Sequence, residues 1–121
     1  MLIQEFLKTV WSEQGYYCIV GKDQQNIISP KFIKNIAEAD NVIQKMLQEK
    51  QDVYFACSTF HEPKDRTKAN AKEQRILWLD IDCGYDEKKG KWKDYETKDA
   101  ALVALREFTD KTKLPTPTIV D

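Results

Sequence analysis

A chain of 121 residues can build one core of ordinary size but not two, which excludes a multidomain machine. Apolar residues make up 41% and charged residues 32%, with four Gly and four Pro, so the composition supports a packed soluble domain rather than disorder. Nineteen Lys and Arg against twenty Asp and Glu leave a net charge of -1, too little for a global field, so any contact with a nucleotide or nucleic acid has to be local.

Taken in chain order, Leu2, Ile3, Phe6, Leu7 and Val10 recur at helical spacing and predict a short helix up to Trp11 with one buried face. Tyr16 to Val20 is β-favouring and bracketed by Gly15 and Gly21, which predicts a strand. Asn35 with Glu38 three residues on has capping-box spacing, and Ile36, Ile43, Met46 and Leu47 continue a second helix to about Lys50. Val53 to Thr59 reads as a strand, His61 to Gln74 as a polar connection, and Ile76 to Asp82 as a strand buried on both faces of a sheet. Gly84 to Glu96 is a second polar stretch. Thr97 caps a helix with Ala101, Leu102, Leu105 and Phe108 as its buried stripe, ended by Leu114, Pro115 and Pro117, after which Thr118 to Val120 starts another strand. The order α β α β β α β predicts an α/β or α+β fold with helices packed on a sheet. A strand getting under way at the end of the chain is read as the mark of a longer polypeptide.

Cys18, Cys57 and Cys83 are odd in number and lack CxxC spacing, which predicts reduced thiols in a cytoplasm. No apolar run approaches the ~18 residues of a membrane span, and Glu5 and Lys8 near Met1 do not fit a leader, so no membrane partner is expected.

The segment richest in chemistry is Ile76-Leu77-Trp78-Leu79-Asp80-Ile81-Asp82-Cys83-Gly84. On a strand, Asp80 and Asp82 would leave the same face with Cα atoms about 7 Å apart. Two such carboxylates repel unless a cation lies between them, and hard divalent ions, Mg²⁺ or Mn²⁺, suit oxygen ligands. The competing reading ends the strand at Leu79 and leaves both acids in solvent. The preceding connection carries Lys64, Arg66, Lys68, Lys72 and Arg75 against Glu62, Asp65 and Glu73, and Arg66 or Lys68 could meet a phosphate chain. His61, the only histidine, has no ligand spacing, and Cys83 has no histidine near it in sequence to activate it as a nucleophile. Trp92 and Tyr95 lie among lysines 88, 89, 91, 93 and 98, a mixture that suits stacking on single strands, but nearby acids nearly cancel the charge and a solvated loop is the simpler reading.

Val53-Tyr54-Phe55-Ala56, Arg66-Thr67-Lys68-Ala69, Leu77 to Gly84 and Leu114-Pro115-x-Pro117-Thr118-Ile119-Val120 together resemble, in that order, the primase-polymerase domains of phage and plasmid replication proteins, members of the archaeo-eukaryotic primase superfamily. The similarity is specific from Val53 to Asp121 and weaker over the first fifty residues. The resemblance implies an RRM-like sheet with helices packed on it, and DNA primase/polymerase activity that makes primers from nucleoside triphosphates on a single-stranded DNA template. It implies Asp80 and Asp82 as catalytic ligands of Mg²⁺ or Mn²⁺, Arg66 and Lys68 as phosphate or DNA contacts, and a helicase domain or protein as a further partner. The family's next motif, Ser-Gly-x-Gly-x-His, and a later acid would follow Asp121. Residues 1–121 are therefore expected to be the N-terminal part of a single primase-polymerase domain, inactive alone. Two alternatives stand beside this: a haloacid dehalogenase-type phosphatase with Asp80 as nucleophile, although Gly-Thr does not follow the acids, and a non-catalytic partner-binding module.

Overall fold

The computed structural model describes residues 2–117. The strand expected at Thr118 to Val120 lies outside them. The chain forms two compact units, one ending at Leu77 and the other starting at Trp78.

The first unit is a mixed α+β arrangement built from α1 (Ile3–Val10), β1 (Tyr17–Lys22), β2 (Ile28–Ile33), a 3-10 turn (Ile36–Glu38) running into α2 (Ala39–Gln48), and β3 (Asp52–Phe55). Its sheet has the order β2-β1-β3, with both pairings antiparallel. The predicted capping box is formed: the Asn35 side chain accepts from Ala37 N–H, and the Glu38 carboxylate accepts from Asn35 N–H. These bonds satisfy donors that a helix start would otherwise leave without partners.

β1 is buried on both sides, as a central strand should be. Tyr17 and Ile19 face the helices and pack with Leu7, Val10, Trp11, Ile33, Ala39, Ile43 and Met46. Cys18 and Val20 face the other way, where Phe60 closes over them. Trp11 ties the end of α1 to the sheet. Its ring stacks on Tyr17 with centroids 4.7 Å apart, and its indole N–H donates to the Ala56 carbonyl at 2.7 Å. Burial pushes the Cys18 thiol up to about 11, against the charge of Arg66 and a backbone hydrogen bond from Lys31, so this cysteine is an inert core residue.

β2 was not foreseen. Pro30 lies in its middle, and a proline is tolerated there because β2 is an edge strand whose outer side needs no ladder donor. The turn into it is set by Asp23, whose carboxylate accepts from Gln25 and Ile27 N–H, and by Asn26 at φ 63°.

Gly15 sits at φ +98°, and a Cβ placed on it would lie 2.7 Å from the Phe60 carbonyl oxygen. Tyr16 and Phe60 exchange backbone hydrogen bonds at that point, so the carbonyl cannot retreat without loosening the bridge. Gly15→Ala is expected to destabilise the unit by about 1–3 kcal/mol, read as a lower urea midpoint with an unchanged slope.

The strand expected from Ile76 to Asp82 is not formed. No regular ladder runs along these residues, and Leu77 and Leu79 are 81% and 60% exposed. The reason is competition for partners. β1 has the same apolar, β-branched character and holds the central position with a neighbour on each side, while 76–82 acquires no neighbouring strand among the described residues. The pleat argument that set Asp80 and Asp82 on one face therefore loses its premise.

The second unit holds a hairpin, β4 (Tyr85–Asp86) with β5 (Lys91–Trp92), and α3 (Lys98–Thr112). The hairpin replaces what read as an irregular polar stretch. Thr97 caps α3 as expected, its hydroxyl accepting from Ala100 N–H at 3.1 Å. Of the predicted stripe only Ala101 is buried, and Phe108 remains 43% exposed. A unit this short has too little chain to cover a whole helix face.

Candidate functional site at the root of a lysine-rich hairpin

The backbone fixes Asp82 at the base of the β4–β5 hairpin. Its carbonyl accepts from Tyr95 N–H at 3.2 Å, Gly84 N–H donates to the Tyr95 carbonyl at 2.8 Å, and Lys93 N–H donates to the Gly84 carbonyl at 2.9 Å. Gly84 bends the chain at φ +93°, a conformation that suits glycine. The hairpin tip is held by Asp86, whose carboxylate accepts from both Lys88 and Lys89 N–H at 3.1 Å, while Gly90 turns back at φ +63°.

These bonds bring Lys93 to the Asp82 carboxylate, Nζ to Oδ1 3.7 Å. The pair is solvent-exposed and so contributes little to stability, at most about 1 kcal/mol. A shallow depression of about 220 Å³ opens beside it, lined by Asp82, Asp86, Asp94, Lys89, Lys91, Lys93 and Trp92. Acids and lysines interleave there, so the wall offers oxygen ligands to a cation and ammonium groups to an anion. Asp80 is exposed two residues before Asp82 in irregular backbone.

The other sequence candidates lie in the first unit. Arg66 and Lys68 are exposed on a loop from Phe60 to Ala71 that closes on itself through the Phe60–Ala71 bridge. Asn70, 4% exposed, holds that loop from inside: its side-chain oxygen accepts from Glu62 N–H and its amide donates to the Glu62 and Asp65 carbonyls, both at 2.8 Å. The Thr67 hydroxyl and N–H both donate to Asp65 and hold its carboxyl below the usual range. A depression of about 190 Å³ on this loop is lined by His61, Glu62, Lys64, Asp65, Thr67, Ala69 and Asn70, and neither Arg66 nor Lys68 lines it. His61 is used structurally through its backbone, donating N–H to the Asn70 carbonyl at 2.9 Å. Cys18, Cys57 and Cys83 are free thiols.

Among the described residues, no set of three or more His, Cys, Asp or Glu side chains is gathered to hold a metal ion. Asp80 does not line the depression that Asp82 lines. Lys89, Lys91 and Lys93 were not singled out as site residues from sequence. Their spacing of two was the available signal, but Lys89 lies in the turn, Lys91 on β5 and Lys93 just after it, and the hairpin that groups them was not recognised. No helix among the described residues is long and apolar enough to cross a membrane. Compared with known proteins, the chain matches no family model, no curated protein and no solved structure.

Proposed function

We propose that this chain contributes the acidic metal-ligand pair of a DNA primase/polymerase, a nucleotidyltransferase that builds primers from nucleoside triphosphates on a single-stranded DNA template with Mg²⁺ or Mn²⁺. The observation that carries the reading is the depression at the hairpin root, where Asp82 stands among Lys89, Lys91 and Lys93 with Asp80 two residues away. The resemblance of the Leu77 to Gly84 run to primase-polymerase domains supports the same assignment. In this reading Asp80 and Asp82 are ligands of the divalent ions, which when bound neutralise phosphate charge and favour attack by a primer hydroxyl. The hairpin lysines hold the triphosphate, and Arg66 and Lys68 contact template or nucleotide phosphates. The antiparallel sheet with α1 and α2 on one face is taken as the beginning of an RRM-like sheet. A helicase domain or protein is a fitting further partner, in a bacterial cytoplasm.

Lys93 is the present counter-charge of Asp82, so a divalent ion has to displace its ammonium. Calorimetric titration with Mn²⁺ tests this directly. Asp82→Asn is expected to weaken binding at least tenfold, because a carboxylate ligand is lost. Lys93→Gln should tighten it about two- to fivefold, the scale of an exposed ion pair. Identical isotherms for the parent chain and both variants would remove the metal assignment.

A further inference from the structure

In the β4–β5 hairpin the register sets Tyr85 opposite Trp92 and Asp86 opposite Lys91. The aromatic pair therefore leaves one face of the ribbon and the charged pair the other. The two rings meet edge-on, with centroids 5.2 Å apart and planes at 71°, a contact that holds the indole in one orientation. Much of both rings stays open to solvent, since Trp92 is 53% exposed and Tyr85 50%. Trp92 also lines the depression shared by Asp82, Lys89, Lys91 and Lys93, whereas Tyr85 does not, so Trp92 stands where the aromatic face turns into the charged one. Lys91 and Lys93 are its direct chain neighbours, with Cα atoms about 3.8 Å away.

We infer that Trp92 is the platform for the base of a single nucleotide, whose triphosphate lies along Lys89, Lys91 and Lys93 in the adjoining depression. The inference deepens the proposed function, from which it takes a nucleoside triphosphate as the class of ligand. Charge alone does not select a polyanion here, because Asp82, Asp86 and Asp94 equal the three lysines in number. Two of these acids are already engaged: Asp86 accepts from Lys88 and Lys89 N–H, and Asp82 faces the Lys93 ammonium. What remains is a weak phosphate site, so a ring beside it decides between a nucleotide and bare phosphate. Stacking of a base on an aromatic ring strengthens binding by about five- to a hundredfold. The geometry suits one nucleotide rather than a strand. The two rings touch and make one platform, and strands of two residues each are too short to present another. Base and triphosphate, joined through one ribose, straddle the single strand β5. A purine covers more of the indole than a pyrimidine does, so purine nucleotides are the better ligands.

The test is nitrogen–proton NMR of the indole N–H groups in the 121-residue chain, at low salt and in EDTA so that metal binding by the acids plays no part. The chain has three tryptophans; the Trp92 signal is the one lost in Trp92→Phe, and Trp11, buried in the first unit, serves as the internal reference. Millimolar ATP is expected to shift the Trp92 signal, while tripolyphosphate shifts the backbone signals of Lys89, Lys91 and Lys93 and leaves the indole nearly in place. ATP should bind at least about fivefold more tightly than tripolyphosphate, and about twofold more tightly than CTP. In Trp92→Phe the advantage of ATP should shrink to about twofold, with tripolyphosphate bound as in the parent because the hairpin is kept. Equal affinities of the parent for ATP and tripolyphosphate, or a Trp92 signal that ATP does not move, would overturn the inference. A hexadeoxyadenylate that moves the signal at a lower nucleotide concentration than ATP would overturn it in favour of a strand. The metal assignment is judged separately by the Mn²⁺ titration, in which no nucleotide is present.

Discussion

Asp82→Asn and Asp80→Asn, made in the natural gene product that carries this chain, are each expected to lower primer synthesis by about 10³-fold or more, the scale on which a group acting on developing charge is lost. Both side chains are exposed, so neither change should disturb folding. Asp82 has only Lys93 as an ion-pair partner among the described residues, and that pair is weak. The loss would therefore report on chemistry, and far-UV circular dichroism of each variant should overlay the parent. The assay follows labelled oligomers made from nucleoside triphosphates on a single-stranded template with Mg²⁺ or Mn²⁺. Cys83→Ala should stay within a few fold of the parent, because a free thiol with no assigned role has nothing to contribute. Activity surviving in both Asp variants would end the primase reading. Hydrolysis of a simple phosphate ester that disappears in Asp80→Asn would favour the phosphatase alternative instead, with Asp80 as the nucleophile.

What could be read from sequence followed how locally each element is determined. The capping box at Asn35 and Glu38 and the cap at Thr97 are short-range hydrogen-bonding patterns, and both appear where their spacing put them. β1 was legible because Tyr16 to Val20 is β-favouring and apolar on both faces, although the strand runs on through Gly21 to Lys22. β2 was not, because Pro30 counts against a strand until its edge position is known, and edge position is a property of the whole sheet. Ile76 to Asp82 shows the converse. Its propensity is that of a buried strand, yet a strand exists only through the ladder it joins, and no local feature of those residues supplies one. The hairpin escaped notice because its strands are two residues each and its tip is stabilised by Asp86 rather than by an Asn-Gly pair. With it went the grouping of Asp82, Lys89, Lys91 and Lys93, which depends on that turn bringing Asp82 and Lys93, eleven residues apart, together.

Trp11→Ala is expected to cost about 3–5 kcal/mol, the range for removing a large aromatic from a core. Trp11 is 2% exposed and touches three parts of the first unit at once. It ends α1, stacks on Tyr17 of β1, and meets Phe55 of β3 edge-on at 6.2 Å. Its N–H also holds the Ala56 carbonyl, so truncation leaves an acceptor without its donor as well as a cavity. A unit of this size has roughly 4–12 kcal/mol of stability in total, at about 0.05–0.15 kcal/mol per residue, so the loss takes about a quarter of it or more. Trp11→Phe separates the two contributions. It keeps most of the ring contact and loses the hydrogen bond, which should cost about 1–3 kcal/mol and lower Tm by roughly 5–20 °C. Urea unfolding followed by far-UV circular dichroism should rank the parent above Trp11→Phe and Trp11→Ala last. Equal midpoints for the two variants would mean that the hydrogen bond to Ala56 carries the whole effect, and a parent-like Trp11→Ala would mean that α1 does not dock on the sheet through this ring.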